Sequence, residues 1–380
     1  MMAIIGFPET ILEQPIQERL DYFINYTMAH PHLTMAYQEV MQAVTQAPGT
    51  ALIFVVGSTG VGKTTLLNRL VQKCTEAALV QMEVDKGKIP IFGVEAKSPE
   101  FSQFDWKDFY IRLLKAVNEP LIDKKITYEH EKANKRDSRS TWRLSVESAL
   151  INRRPDAFYI DEAHHLALLP SGQKLKDQPE VIKSLANLAK VKIIPTGTYA
   201  LLPLVDLGDQ LCRRSKTVHF KRYHADSDDE LEIFQSVVAT FQAHLPLSKM
   251  PDLVRYWEFL YERSLGCVGM LKDWLSETLS DVLHNHDGST ITLRDLQRHA
   301  RPVAQCLKIL KVIKKGEEKF VELQTELEEL RKELGLYQKS YESELKNLQN
   351  QDSTTERAKG EIGKPKPHRY EIGGYENGQE

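Results

Sequence analysis

The sequence has little of several things that would define a protein class. Only four of its 380 residues are cysteine (Cys74, Cys212, Cys267 and Cys306), and no two form a CxxC pair. That excludes a disulfide framework and a cysteine-based zinc site. Long apolar runs are missing too: the run at 51–56 has six residues, against the ~20 that a membrane-spanning helix needs. No transmembrane helix and no membrane partner are expected. Neither sign of charge dominates, with 50 Lys+Arg against 53 Asp+Glu and a net charge of −3, so nucleic-acid binding by bulk charge is excluded and any such contact must come from a local face. The first thirty residues lack a basic n-region and a long apolar h-region, which predicts a cytoplasmic protein. Hydrophobic residues still make up 41%, enough to exclude a wholly disordered chain and, at this length, to support roughly two domains.

What is present is alternation. Apolar β-type runs at 51–56, 89–94, 157–160, 191–195 and 217–220 are separated by longer amphipathic segments. This predicts an α/β fold, a parallel sheet sandwiched by helices. From about residue 226 no strand candidate remains, and 230–245 and 253–266 have helical apolar spacing, so a helical domain should follow. From Phe320 onward, apolar residues three and four apart (Phe320, Leu323, Leu327, Leu330, Leu334, Tyr337, Tyr341, Leu345 and Leu348) describe the seam of a coiled-coil-like helix. It would either pair with another helix or dock on the helical domain. Residues 349–380 are rich in Gly, Pro and charge, the composition of a disordered tail or tether.

The strongest local signal is Gly57-Ser58-Thr59-Gly60-Val61-Gly62-Lys63-Thr64, which fits GxxxxGK[ST]. It follows the apolar run LIFVV and leads through Thr65 into TLLNRLVQKC, with Leu66, Leu67 and Leu70 on one helical face. Strand, glycine loop and helix are the context a P-loop requires. Backbone N–H groups and the helix N-terminus would cradle phosphates, Lys63 would reach the β- and γ-phosphates of ATP, and the Thr64 hydroxyl would hold Mg2+.

A hydrolysing P-loop also needs a carboxylate for the metal and a group that orients water. Residues 157–160 end in Asp161 and Glu162, which suit those two tasks in that order. The continuation DEAHH at 161–165 invites a helicase reading, but the helical region after 225 offers no second strand series, so His164 and His165 are expected to pack or bond on the loop. The run at 191–195 ends in Thr196-Gly-Thr198, where either threonine would lie at a strand's carboxyl end and sense a γ-phosphate. Arg213 and Arg214 precede the last strand candidate and would suit phosphate stabilisation, including in a neighbouring subunit.

These elements, in this order, resemble the AAA+ ATPases. More specifically, HPHLTMAYQEVMQAV ahead of GSTGVGKTTL, VKIIPTGTYALLPLVDLGDQLCRR, SLGCVGMLKDWL and ILKVIKKGEEKF are similar to the TnsC/TniB transposition regulators of bacterial mobile elements, over roughly residues 20–320. With the readings above, the expected division is an N-terminal helical segment at 1–50, an AAA+ core at 51–225, a helical lid at 226–315, the coiled-coil-like helix at 316–348 and the tail at 349–380, the core and lid being what the resemblance implies. The resemblance also implies an ATP-switched oligomer, ring or filament, that assembles on duplex DNA without sequence preference. Such a protein links a target-selection protein of TniQ/TnsD type, or a CRISPR effector, to the transposase. Lys63, Thr64, Asp161 and Glu162 match the nucleotide and hydrolysis positions, Thr196 or Thr198 resembles sensor one, and Arg213 or Arg214 the trans-acting finger. The lid departs from the family pattern: where a GxxR motif is common, Gly266-Cys-Val-Gly269 stands, with Lys272 nearby.

Candidate DNA contacts are Lys97 and Lys107, near the aromatic Phe101, Phe104 and Trp106, and the basic stretch 121–154. That stretch carries nine Lys/Arg against five acids and includes Lys132, Lys135, Arg136, Arg139 and Arg143. Such side chains would contact phosphates without reading bases. Two other functions share the core features: a helicase loader similar to the IstB/DnaC type, and a signalling NTPase that never touches DNA.

Overall fold

The computed structural model describes residues 6–47, 49–99, 104–120, 122, 138–166, 173–205, 214–285, 288–321 and 323–336. The chain forms two compact units, Met1–Phe320 and Val321–Glu380. The first opens with helices α1 (Ile16–Asn25) and α2 (Pro31–Gln46). It continues through β1 (Leu52–Gly57), α3 (Lys63–Val84), β2 (Ile91–Glu95), α4 (Trp106–Ala116), α5 (Ser138–Arg153) and β3 (Ala157–Asp161). Next come α6 (Gln173–Ala189), β4 (Lys192–Gly197), the short α7 (Leu202–Val205) and β5 (Ser215–Phe220). The helical part follows with α8 (Asp228–His244), α9 (Trp257–Ser264), α10 (Val268–Asn285), α11 (Leu293–His299) and α12 (Val303–Glu317).

All five expected strands form, and they pair in parallel in the order β2-β3-β4-β1-β5. Alternation along β1 shows why the runs are continuously apolar: Leu52, Phe54 and Val56 enter one core with Phe158, Ile160 and Ile193, whereas Ile53 and Val55 enter another with Ile194, Val218 and Phe220. Both faces of the sheet are therefore covered, the condition under which parallel sheets are stable. Helices α4 and α5 cover the first face, and α2 and α3 the second.

The helical part has a core of its own, built on Phe234, Val237, Val238 and Phe241 of α8 and on Leu271, Leu275, Leu279 and Val282 of α10. Leu20 and Phe23 of α1 belong to that core, with Phe23 edge-on to Phe241 at 6.1 Å. The first fifty residues are thus divided: α1 packs with the helical part and α2 with the sheet. A capping box starts α11, with Thr292 accepting from the Asp295 N–H and Asp295 Oδ2 accepting from the Thr292 N–H at 2.9 Å.

The expected continuous seam from Phe320 does not hold over the described residues. Glu318–Phe320 is a 3-10 turn, in which Phe320 stacks on His219 of β5 at 3.9 Å and is removed from the seam. In the second unit, α13 spans Gln324–Glu333 and is followed by Gly335 at φ +71, a conformation that ends a helix. Leu323, Leu330 and Leu334 are exposed. Tyr337, Tyr341, Leu345, Leu348 and the 349–380 tail lie outside the described residues.

Phe158 is fully buried and stacked on Phe92 at 5.2 Å. Phe158→Ala should lower the unfolding free energy by about 3–5 kcal/mol, read from urea midpoints at unchanged m. A loss below about 1 kcal/mol would contradict the two-sided burial of the sheet.

Candidate functional site

Strand β1 delivers Gly57 to the carboxyl edge of the sheet beside β5, where a Cβ would fall 2.5 Å from the Phe220 carbonyl oxygen. Gly60 and Gly62 turn the following loop at φ +72 and +113, a region costly to any residue with a side chain. Gly62 is the N-cap of α3 and offers no side-chain cap, which leaves the first turn of the helix available to an anion. Ser58 and Val61 are buried, Thr59 and Thr64 are exposed and Thr65 is half-buried. Lys63 is buried, and its Nζ donates to Gly57 O at 3.2 Å and Ser58 O at 2.8 Å. Burial lowers the pKa of this ammonium, opposed by the nearby Glu162 and Asp161 carboxylates.

Because β4 lies between β1 and β3, the P-loop and the carboxyl ends of β3 and β4 stand side by side. Asp161, the last residue of β3, accepts from Thr64 Oγ1 at 3.3 Å through Oδ2 and from the Glu162 N–H at 2.9 Å through Oδ1. Glu162 sits at φ +50, an uncommon conformation for a residue with a side chain. Its Oε2 lies 2.9 Å from His164 Nδ1, at ion-pair distance but without the alignment of a hydrogen bond. The His164 imidazole is pushed down to about 4 by burial, with His165 and Lys63 adding to the shift. Gly197 admits this histidine, since a Cβ there would lie 3.1 Å from the His164 backbone nitrogen. Thr196 is fully buried with its hydroxyl toward Ile194 O at 3.4 Å, whereas Thr198 is half-buried just past the end of β4.

The helical part completes the site in a way the sequence did not announce. The Met270 N–H of α10 donates to Gly60 O at 3.0 Å, and Ser58 Oγ lies 3.2 Å from Cys267 Sγ. Burial pushes the Cys267 thiol up to about 11, so it stays protonated. A Cβ on Gly269 would fall 2.5 Å from Gly60 O, so the glycine expected to be an arginine-less lid position is the one that lets α10 touch the P-loop. Beside this contact a cleft opens between the α1–α2 connection, the P-loop and α10, lined by Tyr26, His30, Val61, Gly62, Val268 and Lys272 among others. Lys272 Nζ donates to Ile24 O at 2.6 Å, and burial lowers its pKa. The only local clue to the α1–α2 side was His30-Pro31, an N-cap followed by proline at the first helical position.

The remaining predicted residues are dispersed. Exposed Arg214 precedes β5, and its NH1 donates to Asn187 Oδ1 at 3.1 Å. It lies at the amino edge of the sheet, about six residues of strand or roughly 20 Å from its own P-loop. Arg213, Lys132, Lys135 and Arg136 lie outside the described residues, as does the side chain of Arg139. Lys97 is exposed after β2 and Lys107 is half-buried in the first turn of α4. Phe104 and Trp106 are core residues packed edge-on with Phe109; Phe101 lies outside the described residues. Arg143 is turned to Glu147 Oε1 at 2.9 Å and Ser184 Oγ at 2.8 Å. Among the described residues no helix is long and apolar enough to cross a membrane.

Residues 47–205 match the family model described as an AAA domain. Together with the five-stranded parallel sheet and helical extension, this defines a P-loop AAA+ fold. Among solved structures, the chain is similar to the Aeropyrum pernix ORC1 protein in complex with DNA, with TM-score 0.52 and 16% identity over 79% of this chain and 70% of that one. It is also similar to the ORC2 protein of that organism, at TM-score 0.49 and 12% identity over 74% and 70%. A Walker-type ATPase of Pyrococcus abyssi aligns at TM-score 0.41 and 16% identity over 79% and 75%. At such identities the likeness is one of fold. No curated protein matches the chain.

His30, His164 and His219 are each held near 4 by burial. Their unfolded counterparts titrate near 6.5, so between these values the unfolded chain binds more protons and stability rises with pH. The unfolding free energy should fall as pH drops from 6.5 to 5, a window in which ordinary carboxylates stay ionised. Urea unfolding across that window checks this; a flat profile would contradict neutral burial of the three imidazoles.

Proposed function

We propose that the protein is an ATP-binding and ATP-hydrolysing switch that assembles on duplex DNA and links target selection to a transposase. The observation that carries the nucleotide part is buried Lys63 aimed along the P-loop, with Thr64 already joined to Asp161 at the end of β3. An incoming triphosphate would take over the ammonium from Gly57 O and Ser58 O, exchanging neutral carbonyls for charged oxygens.

The residues present fit Mg2+. Thr64 Oγ1 and the Asp161 carboxylate are hard oxygen donors at one spot, and among the described residues no group of three or more His, Cys, Asp or Glu could hold a metal. Mg2+ characteristically takes one or two protein oxygens and completes its shell with phosphates and water. When bound, the ion neutralises charge on the triphosphate. Glu162 is the candidate to orient the attacking water: its carboxylate is partly exposed and its backbone is held by Asp161. Neutral His164 beside it would limit the rotamers of that carboxylate. Thr198 suits γ-phosphate sensing better than Thr196, whose hydroxyl is turned into the sheet. Arg214, at the far edge of its own sheet, would reach a phosphate only on another protomer, which supports a trans-acting role and assembly with other copies.

Duplex binding would use local lysines such as Lys97 and the residues at 132–139, contacting phosphates without reading sequence. The transposition setting, with a transposase and a TniQ/TnsD-type or CRISPR target selector as partners, rests on the resemblance of the segments quoted above to TnsC/TniB regulators.

Lys63→Ala should weaken ATP binding about 10- to 100-fold, the value of a charge-assisted contact. Glu162→Gln should bind ATP normally but turn over at least ~100-fold more slowly. With a non-hydrolysable ATP analogue the wild type should retain random duplex on a filter, with affinity falling steeply as salt rises. Normal turnover in Glu162→Gln would require another base, and no duplex retention with analogue bound would remove the DNA part of the reading.

A further inference from the structure

The cleft between the α1–α2 connection, Val61–Gly62 and α10 adjoins the P-loop, so in the ATP reading it receives the end of the nucleotide away from the phosphates. Two of its polar side chains are already occupied: Lys272 Nζ is spent on Ile24 O at 2.6 Å, and Thr27 Oγ1 donates to Asn25 O at 3.3 Å. The Tyr26 ring is held in a stack on His244 at 3.7 Å. Thr65 stands at the phosphate end, two residues after Lys63.

His30 is different. Its Nδ1 accepts from the Leu33 N–H at 3.4 Å as the N-cap of α2, and the same nitrogen lies 2.9 Å from the Tyr223 hydroxyl. A backbone N–H can only donate, so Nδ1 must be the unprotonated nitrogen. Burial keeps the imidazole neutral at ordinary pH, and its one proton therefore resides on Nε2. Burial raises the Tyr223 pKa, so that phenol remains a donor toward Nδ1. Among the described residues Nε2 has no protein partner, yet it is not among the sealed, unpartnered polar atoms. The ring lines the cleft.

We propose that His30 is the base-reading residue of the nucleotide site, its Nε2–H held in a fixed tautomer to donate to a ring-nitrogen acceptor of a purine. Tyr223 is the positioning residue. Its own N–H donates to Gly266 O at 3.0 Å and its carbonyl accepts from the Tyr261 hydroxyl at 2.9 Å, so the reader is referenced to the same turn that presents Cys267 and Met270 to the P-loop. Base identity and phosphate grip then meet at one segment of the helical part. This inference rests on the ATP reading and sharpens it.

The experiment measures binding of ATP and of 1-deaza-, 3-deaza- and 7-deaza-ATP, each lacking one ring acceptor, to the full chain. Wild type should bind one of the three about three- to tenfold more weakly than ATP, the worth of one neutral hydrogen bond, and the other two as well as ATP. His30→Phe, which keeps a ring but has no donor, should bind all four alike, with affinity for inorganic triphosphate unchanged. Tyr223→Phe, which keeps its packing, should narrow the discrimination without abolishing ATP binding. Equal binding of all three analogues by wild type overturns the proposal whether or not the variants fold, as does discrimination that survives in His30→Phe. Absence of any ATP binding by wild type would instead remove the nucleotide reading itself.

Discussion

An ammonium enclosed by protein and lacking a carboxylate at hydrogen-bond distance is costly to maintain. Here Lys63 is solvated by two carbonyls of the very loop it belongs to, and attracted at longer range by the two acids that end β3. Other features of the core keep that arrangement available. Two glycines in left-handed conformation form the loop, β4 spaces the acids one strand away, and a sheet buried on both faces prevents the strand ends from drifting. The loop holds a cation in a place suited to a polyanion.

The helical part is not a passive cover. It touches the P-loop backbone through the Met270 N–H, lies against Ser58 through Cys267, and closes the cleft with Val268 and Lys272. The N-terminal α1 shares its core, so the cleft is built from both ends of the first unit and from the glycine loop between them. Any change in the loop on filling would be felt directly at the start of α10, and through Gly266 and Tyr223 at the N-terminus of α2.

Much of this was legible in the sequence because it is local. Apolar runs marked all five strands, the glycine spacing gave the loop, and the acids stood where the run at 157–160 ends. What escaped depends on contacts between distant segments. Nothing near residue 20 says that Leu20 and Phe23 will pack against α8 and α10. The GCVG turn lacked an arginine and looked like a loss, whereas the missing side chain at Gly269 is what allows close approach to Gly60. The aromatic residues Phe104 and Trp106 near Lys107 belong to the core, which residue type and spacing alone do not disclose. The seam from Phe320 kept helical spacing on paper, but His219 claims its first ring.

In the proposed function a nucleoside triphosphate fills this loop and this cleft together. The most direct measurement is an experimental structure of the protein with a non-hydrolysable ATP analogue and Mg2+. The phosphates should be wrapped by residues 58–64, with Lys63 Nζ moved from Gly57 O and Ser58 O onto phosphate oxygen and the base against His30. Density for the analogue elsewhere, or Lys63 still on its two carbonyls with the nucleotide bound, would contradict that arrangement.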